Sequence, residues 1–122
     1  MRTLASAYLL LGAMNDDTLH ENAIASRELE FRFTTGGSER VLVSIYSPRP
    51  AEEPEMWWCP YSIIGNKVHK IFRMAGIDAI QALTLTLATI PVELEWLSRK
   101  HEGEFLFLGE HGHCFSEIPS QQ

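Results

Sequence analysis

Residues 78–100 read DAIQALTLTLATIPVELEWLSRK, and the fold turns on how this stretch is read. Asp78 is a favourable N-cap, because its short side chain can accept from an orphan N–H of the first helical turn. Gln81, three residues on, completes a capping-box pattern. Ile80, Leu83, Leu87, Ile90, Leu94 and Leu97 recur at alternating steps of three and four, which puts six apolar side chains on one stripe of a helix. Pro91 lacks an N–H and crowds the preceding turn. The stripe passes through it in phase, so the spacing predicts one helix, Asp78–Lys100, kinked at Pro91. Arg99, Lys100 and His101 suit the negative end of its dipole, and Gly103 is expected to end it.

Working outward, the chain before the helix alternates. In residues 28–34, Leu29, Phe31 and Phe33 point one way while Glu28, Glu30 and Arg32 point the other, as in a half-buried strand. The turn cluster Thr35-Gly36-Gly37-Ser38 leads into residues 40–47, with Val41, Val43 and Ile45 on one face. Pro48, Pro50 and Pro54 among Glu52, Glu53 and Glu55 mark an acidic loop. Residues 56–64 return to strand, and Pro60, which cannot donate to a ladder, argues for an edge position or a bulge there. Gly65-Asn66 turns the chain into residues 67–75, and residues 104–108 form a last strand beyond the helix. The expectation is an α+β fold, an antiparallel sheet of about five strands packed against one long helix. Residues 28–118 would be a single domain, with 119–122 a tail and 1–27 an N-terminal arm.

Within that arm, residues 4–13 are apolar behind Arg2, so a secretory leader has to be weighed. No small-x-small cleavage site follows, and the run is shorter than the ~20 apolar residues that span a bilayer. Met14 is a second possible start. No membrane association is expected.

A chain of 122 residues has room for one domain, and 45% apolar residues suit a folded one. A net charge of -6 argues against a nucleic-acid partner, which calls for a basic stripe, and suits a basic protein partner. Cys59 and Cys114 make no C-x-x-C pair; they read as thiols of a cytoplasmic protein, Cys59 as a small buried residue of a strand.

Residues that could carry chemistry have simpler explanations. His111, Gly112, His113 and Cys114 supply zinc-type ligands without a recognised spacing, and a fourth ligand would have to come from Cys59 or His69, so no metal and no cofactor is expected. A Cys–His nucleophile lacks any local signature. Gly36-Gly37 joins two strands, whereas a phosphate cradle leads a strand into a helix. Asp78 and Gln81 are accounted for by capping, and His69 and Arg73 by a half-solvated strand face. Adjacent Trp57 and Trp58 must point to opposite faces of their strand, one into the core and one outward. An outward Trp58 beside Glu52, Glu53 and Glu55 makes an aromatic anchor flanked by carboxylates, the candidate partner-binding group.

Two words of the sequence, W-x-C-P-Y-x-I over residues 57–63 and G-x-D-x-x-Q-A-L over 76–83, resemble those of a family of small uncharacterised bacterial proteins. There they lie on a strand and at the start of a long helix. The matching positions are Trp57 or Trp58, Cys59, Pro60, Tyr61, Gly76, Asp78, Gln81, Ala82 and Leu83. The resemblance implies the fold and a bacterial source, and no activity. Small acidic bacterial proteins of this architecture are often immunity proteins, an association by fold alone. The leading expectation is a non-enzymatic protein-binding role, most concretely neutralisation of a basic toxin domain by occlusion of its active site. The alternative is a small-molecule binding or accessory domain with a pocket between sheet and helix. An edge strand at residues 56–64 would permit a homodimer.

Overall fold

The computed structural model of the chain describes residues 23–115. Seven antiparallel strands form one sheet: β1 (Ala23–Phe33), β2 (Ser38–Tyr46), β3 (Arg49–Pro50), β4 (Trp57–Ile64), β5 (His69–Gly76), β6 (Gly103–Phe107) and β7 (Glu110–His111). Among the described residues one helix, α1 (Ala79–Lys100), is inserted between β5 and β6. The five strands expected from alternation are all present. β3 and β7 are added to them, each two residues long and therefore without a periodic signal.

β4 is central. β5 pairs along its whole length on one side, while β2 and then β3 take the other. The expected edge position for residues 56–64, and with it the route to a sheet-to-sheet dimer through them, is corrected: the outer strand is β5. Pro60 is tolerated because β2 pairs with residues 61–64 and β3 with 57 and 58, so that ladder skips Cys59 and Pro60. On the far side, β6 pairs with β1 only over Glu30 to Phe33.

The helix covers one face. Val41, Val43, Ile63, Leu29, Phe31 and Phe105 pack beneath Ala82, Ile90, Leu94 and Leu97 in a single buried cluster. Asp78 caps α1 as expected, its Oδ1 accepting from Gln81 N at 2.8 Å, and Gln81 Oε1 accepts from Ile77 N at 2.8 Å. The helix runs through Pro91 as one element. Its buried stripe differs from the expected one in the first half: Ile80 is 71% and Leu87 48% exposed, while Ala82 and Thr86 are fully buried. Small side chains let the helix start lie close on the sheet, and Thr86 turns its hydroxyl back to Ala82 O at 2.9 Å. The close approach is visible at Gly76, where an added Cβ would stand 2.4 Å from Ala82 N.

Gly103 does not supply the left-handed residue after α1. That conformation falls on Glu102 (φ 55°), and Gly103 is needed because a Cβ there would meet Arg32 O and the Phe31 ring. No described helix is long and apolar enough to cross a membrane. The expectations for residues 1–22 and 116–122, including the leader, the second start and the tail, lie outside the described residues; within the expected arm, β1 already begins at Ala23.

Candidate functional site

β3 and β4 form a hairpin whose connecting loop carries the three glutamates. Pro50 pairs with Trp57 and Arg49 with Trp58, and Ala51 N donates to Met56 O at 2.9 Å, closing residues 51–56 into a tight loop. Glu52, Glu53 and Glu55 are all exposed on it. Glu55 has a left-handed backbone (φ 58°), a conformation that costs a non-glycine residue about 1–2 kcal/mol. Three exposed carboxylates thus stand on one closed hairpin tip.

The two tryptophans diverge as strand geometry demands. Trp57 packs against the core under α1. Trp58 lies on the opposite face, half-buried. Its ring is not an isolated anchor: the Arg73 guanidinium of β5 stacks on it, 3.8 Å from the ring centroid. Partial burial pulls the Arg73 pKa down from its ordinary value. Trp58 therefore meets a cation across the strand pair, while the carboxylates stand at the hairpin tip. Hairpin and register bring all four expected residues onto one corner of the sheet, with one face of the indole already taken.

The remaining groups weighed from sequence separate. His111 Nδ1 lies 3.0 Å from Glu104 Oε2, His113 Nδ1 accepts from Phe115 N at 3.0 Å, and Cys114 is exposed. Among the described residues no group of three or more His, Cys, Asp or Glu is placed to hold a metal ion. Cys59 is buried, its Sγ 3.4 Å from Tyr46 O, and burial raises its pKa.

Two features carried no sequence signal. Tyr61, fully buried, has its pKa raised by burial first and then by the charge and hydrogen bond of Glu93, which also meets Lys70 at 3.2 Å. This polar group locks α1 to β4 and β5. Between sheet and helix, described side chains of both pack into one buried cluster. A cleft of about 610 Å³ lies elsewhere, along the outer edge of β1 from Ser26 to Glu30, against Arg40 and the turn from Leu106 to Gly109. Beside it Arg27 sits between the Phe107 and Phe115 rings, 4.4 and 4.6 Å from their centroids, and donates to the carbonyls of His113 and Cys114. Register sets these groupings, so a one-dimensional pattern could not show them.

A family model described as a domain of unknown function (DUF6968) matches residues 25–116. The chain belongs to this family. The matched span runs from the start of β1 to just past Phe115, so the family domain includes the sheet, the helix and the acidic hairpin together. An uncharacterised family was expected, and the matching family is one of unknown function. No curated protein and no solved structure matches the chain.

Proposed function

We propose that the chain is a non-enzymatic protein-binding protein, most concretely a bacterial, cytoplasmic immunity protein that neutralises a basic toxin domain by occluding its active site. The observation that carries this reading is the closed hairpin tip with Glu52, Glu53 and Glu55 exposed on it. A closed loop bearing three carboxylates complements a cleft lined by lysine and arginine. Its charge steers encounter at long range and weakens as the Debye length falls below about 8 Å. Trp58 contributes the apolar side of the contact, held in one orientation by Arg73. The bacterial source and the toxin as partner rest on the family resemblance and on fold analogy.

The test is genetic and direct. A toxin-like open reading frame adjacent to this gene is expressed with the wild-type chain or with a triple Glu52→Gln, Glu53→Gln, Glu55→Gln variant. Growth restored by the wild type and lost with the variant supports the reading. Equal rescue by both removes the hairpin from the mechanism, and no rescue by either removes the immunity role. The small-molecule alternative moves to the β1-edge cleft; there Glu28 and Arg40 already pair at 2.8 Å, leaving fewer charges to orient a ligand.

A further inference from the structure

Residues 79–92 of α1 read AIQALTLTLATIPV and hold no charged side chain. A helix lying over a sheet ordinarily turns charge outward, and one that is apolar all round is covered on both sides. The inner side is accounted for, since Ala82, Thr86, Ile90, Leu94 and Leu97 form the stripe buried on the sheet. At the helical repeat, Ala88 stands diametrically opposite the centre of that stripe. Around it Ile80, Leu85, Leu87, Val92 and Trp96, with Ile77 just before the helix, are between 38% and 71% exposed. Together they offer roughly 600–700 Å² of apolar surface, against about 800 Å² per partner in a standard interface.

This face matches itself. Two copies of α1 crossing antiparallel about a two-fold axis through Ala88 would set Ile80 against Trp96 of the second copy and Thr84 against its Val92. The smallest side chain then falls where the axes come closest, and the largest where crossing helices diverge. Charge favours the antiparallel sense. Asp78 stands at one end of α1, and Arg99 and Lys100 at the other. Antiparallel pairing sets each acidic cap beside the basic end of the other helix and opposes the two dipoles, whereas parallel pairing stacks Arg99 and Lys100 on their own copies. The Trp96 ring is braced from within the chain by Lys100 Nζ, 4.9 Å from its centroid. A membrane surface fits less well. A helix lying in one carries lysine and arginine along its polar face, whereas α1 has Arg99 and Lys100 at one end alone, in a chain of net charge -6.

We propose that this face is a homodimer interface, α1 against α1 of a second copy, antiparallel and centred on Ala88. Because Gly76 pairs with Trp57, each helix start lies beside its own acidic hairpin, and the two hairpins fall at opposite ends of the helix pair.

The test is sedimentation equilibrium of the full chain. An interface of this size should give a reversible dimer with a Kd on the order of 10 μM. Ala88→Arg puts two like charges on the axis and should weaken association about 100-fold. Ala88 is exposed and arginine is a good helix former, so the fold is kept. Thr84→Arg, one turn away and also exposed, repeats the comparison independently. In a Cys114→Ser background, Ala88→Cys should oxidise with copper phenanthroline to a disulfide-linked dimer, because Cα atoms facing each other at the axis lie within disulfide reach. Ile80→Cys should not, since its copy would stand about 24 Å away. A chain still monomeric at about fifty times the expected Kd overturns the proposal, and so does a dimer indifferent to both arginines. Ile80→Cys cross-linking to itself as readily as Ala88→Cys overturns the antiparallel register.

Discussion

Gly76→Ala is the sharpest probe of how α1 is seated. An alanine Cβ at this position would stand 2.4 Å from Ala82 N, 2.8 Å from Ala82 Cα and 2.9 Å from Gln81 C. All three are backbone atoms of the first helical turn, so no rotamer change relieves the overlap. The helix start must retreat by about an ångström, and overpacking of this kind costs about 1–3 kcal/mol. Retreat also strains the Asp78 and Gln81 cap bonds, whose loss costs about 1 kcal/mol. The expected destabilisation is therefore about 2–4 kcal/mol, or a fall in Tm of roughly 10–20 °C for a domain of this size. Calorimetry of the two proteins at one pH and concentration measures it. The backbone term has the opposite sign: Gly→Ala at an unstrained position stabilises by about 0.4–1 kcal/mol through the unfolded state. An unchanged or raised Tm would refute the close approach at Gly76.

Further predictions concern single groups. The Glu39 carboxylate accepts from Lys67 N at 3.1 Å and Val68 N at 2.9 Å, tying β2 to the β4–β5 turn, so Glu39→Ala should cost about 1–3 kcal/mol in urea unfolding. Tyr61 has a folded-state pKa above its unfolded value of 10.0, so its contribution is whole below that pH and is lost as pH rises beyond it. Stability measured between pH 8 and 11 should accordingly fall more steeply in the wild type than in Tyr61→Phe. A disulfide-exchange reagent should titrate the exposed Cys114 rapidly in the native protein and Cys59 only after unfolding, since its pKa is raised and its side chain buried.

The long strands were legible where only one face is buried, because alternation records that directly; residues 43–46 of β2 and 61–64 of β4 are buried on both faces. The first hairpin, from Leu29 and Phe31 to Val41 and Val43, needed nothing more. The helix was legible as an element and Asp78 as its N-cap, although Gln81 reaches back to Ile77 N and not to the N-cap's own N–H, and the phase of the first half of the helix was not legible. Hydrophobicity favoured Ile80 and Leu87 for the interior, whereas proximity to the sheet favoured the small Ala82 and Thr86, and proximity won. Pro60 suggested an edge because a missing donor is most easily placed there. The interruption between β2 and β3 that accommodates it depends on pairing far away in sequence.

The candidate site was half legible for the same reason. That Trp57 and Trp58 diverge follows from strand geometry alone. That Arg73 takes one face of Trp58 follows from the β4–β5 register, and that Glu39 braces a turn follows from the β2–β4 pairing. Short strands and cross-strand partners are set by three-dimensional register, which leaves no period in the sequence to read.

The central functional claim is that the acidic hairpin engages a basic protein. Affinity purification from the native host tests it most directly, with the wild-type chain and the Glu52→Gln, Glu53→Gln, Glu55→Gln variant as parallel baits in low and high salt. A basic protein should be captured by the wild type in low salt, reduced in high salt and lost with the variant. A partner held equally by both baits at both salt concentrations would contradict it.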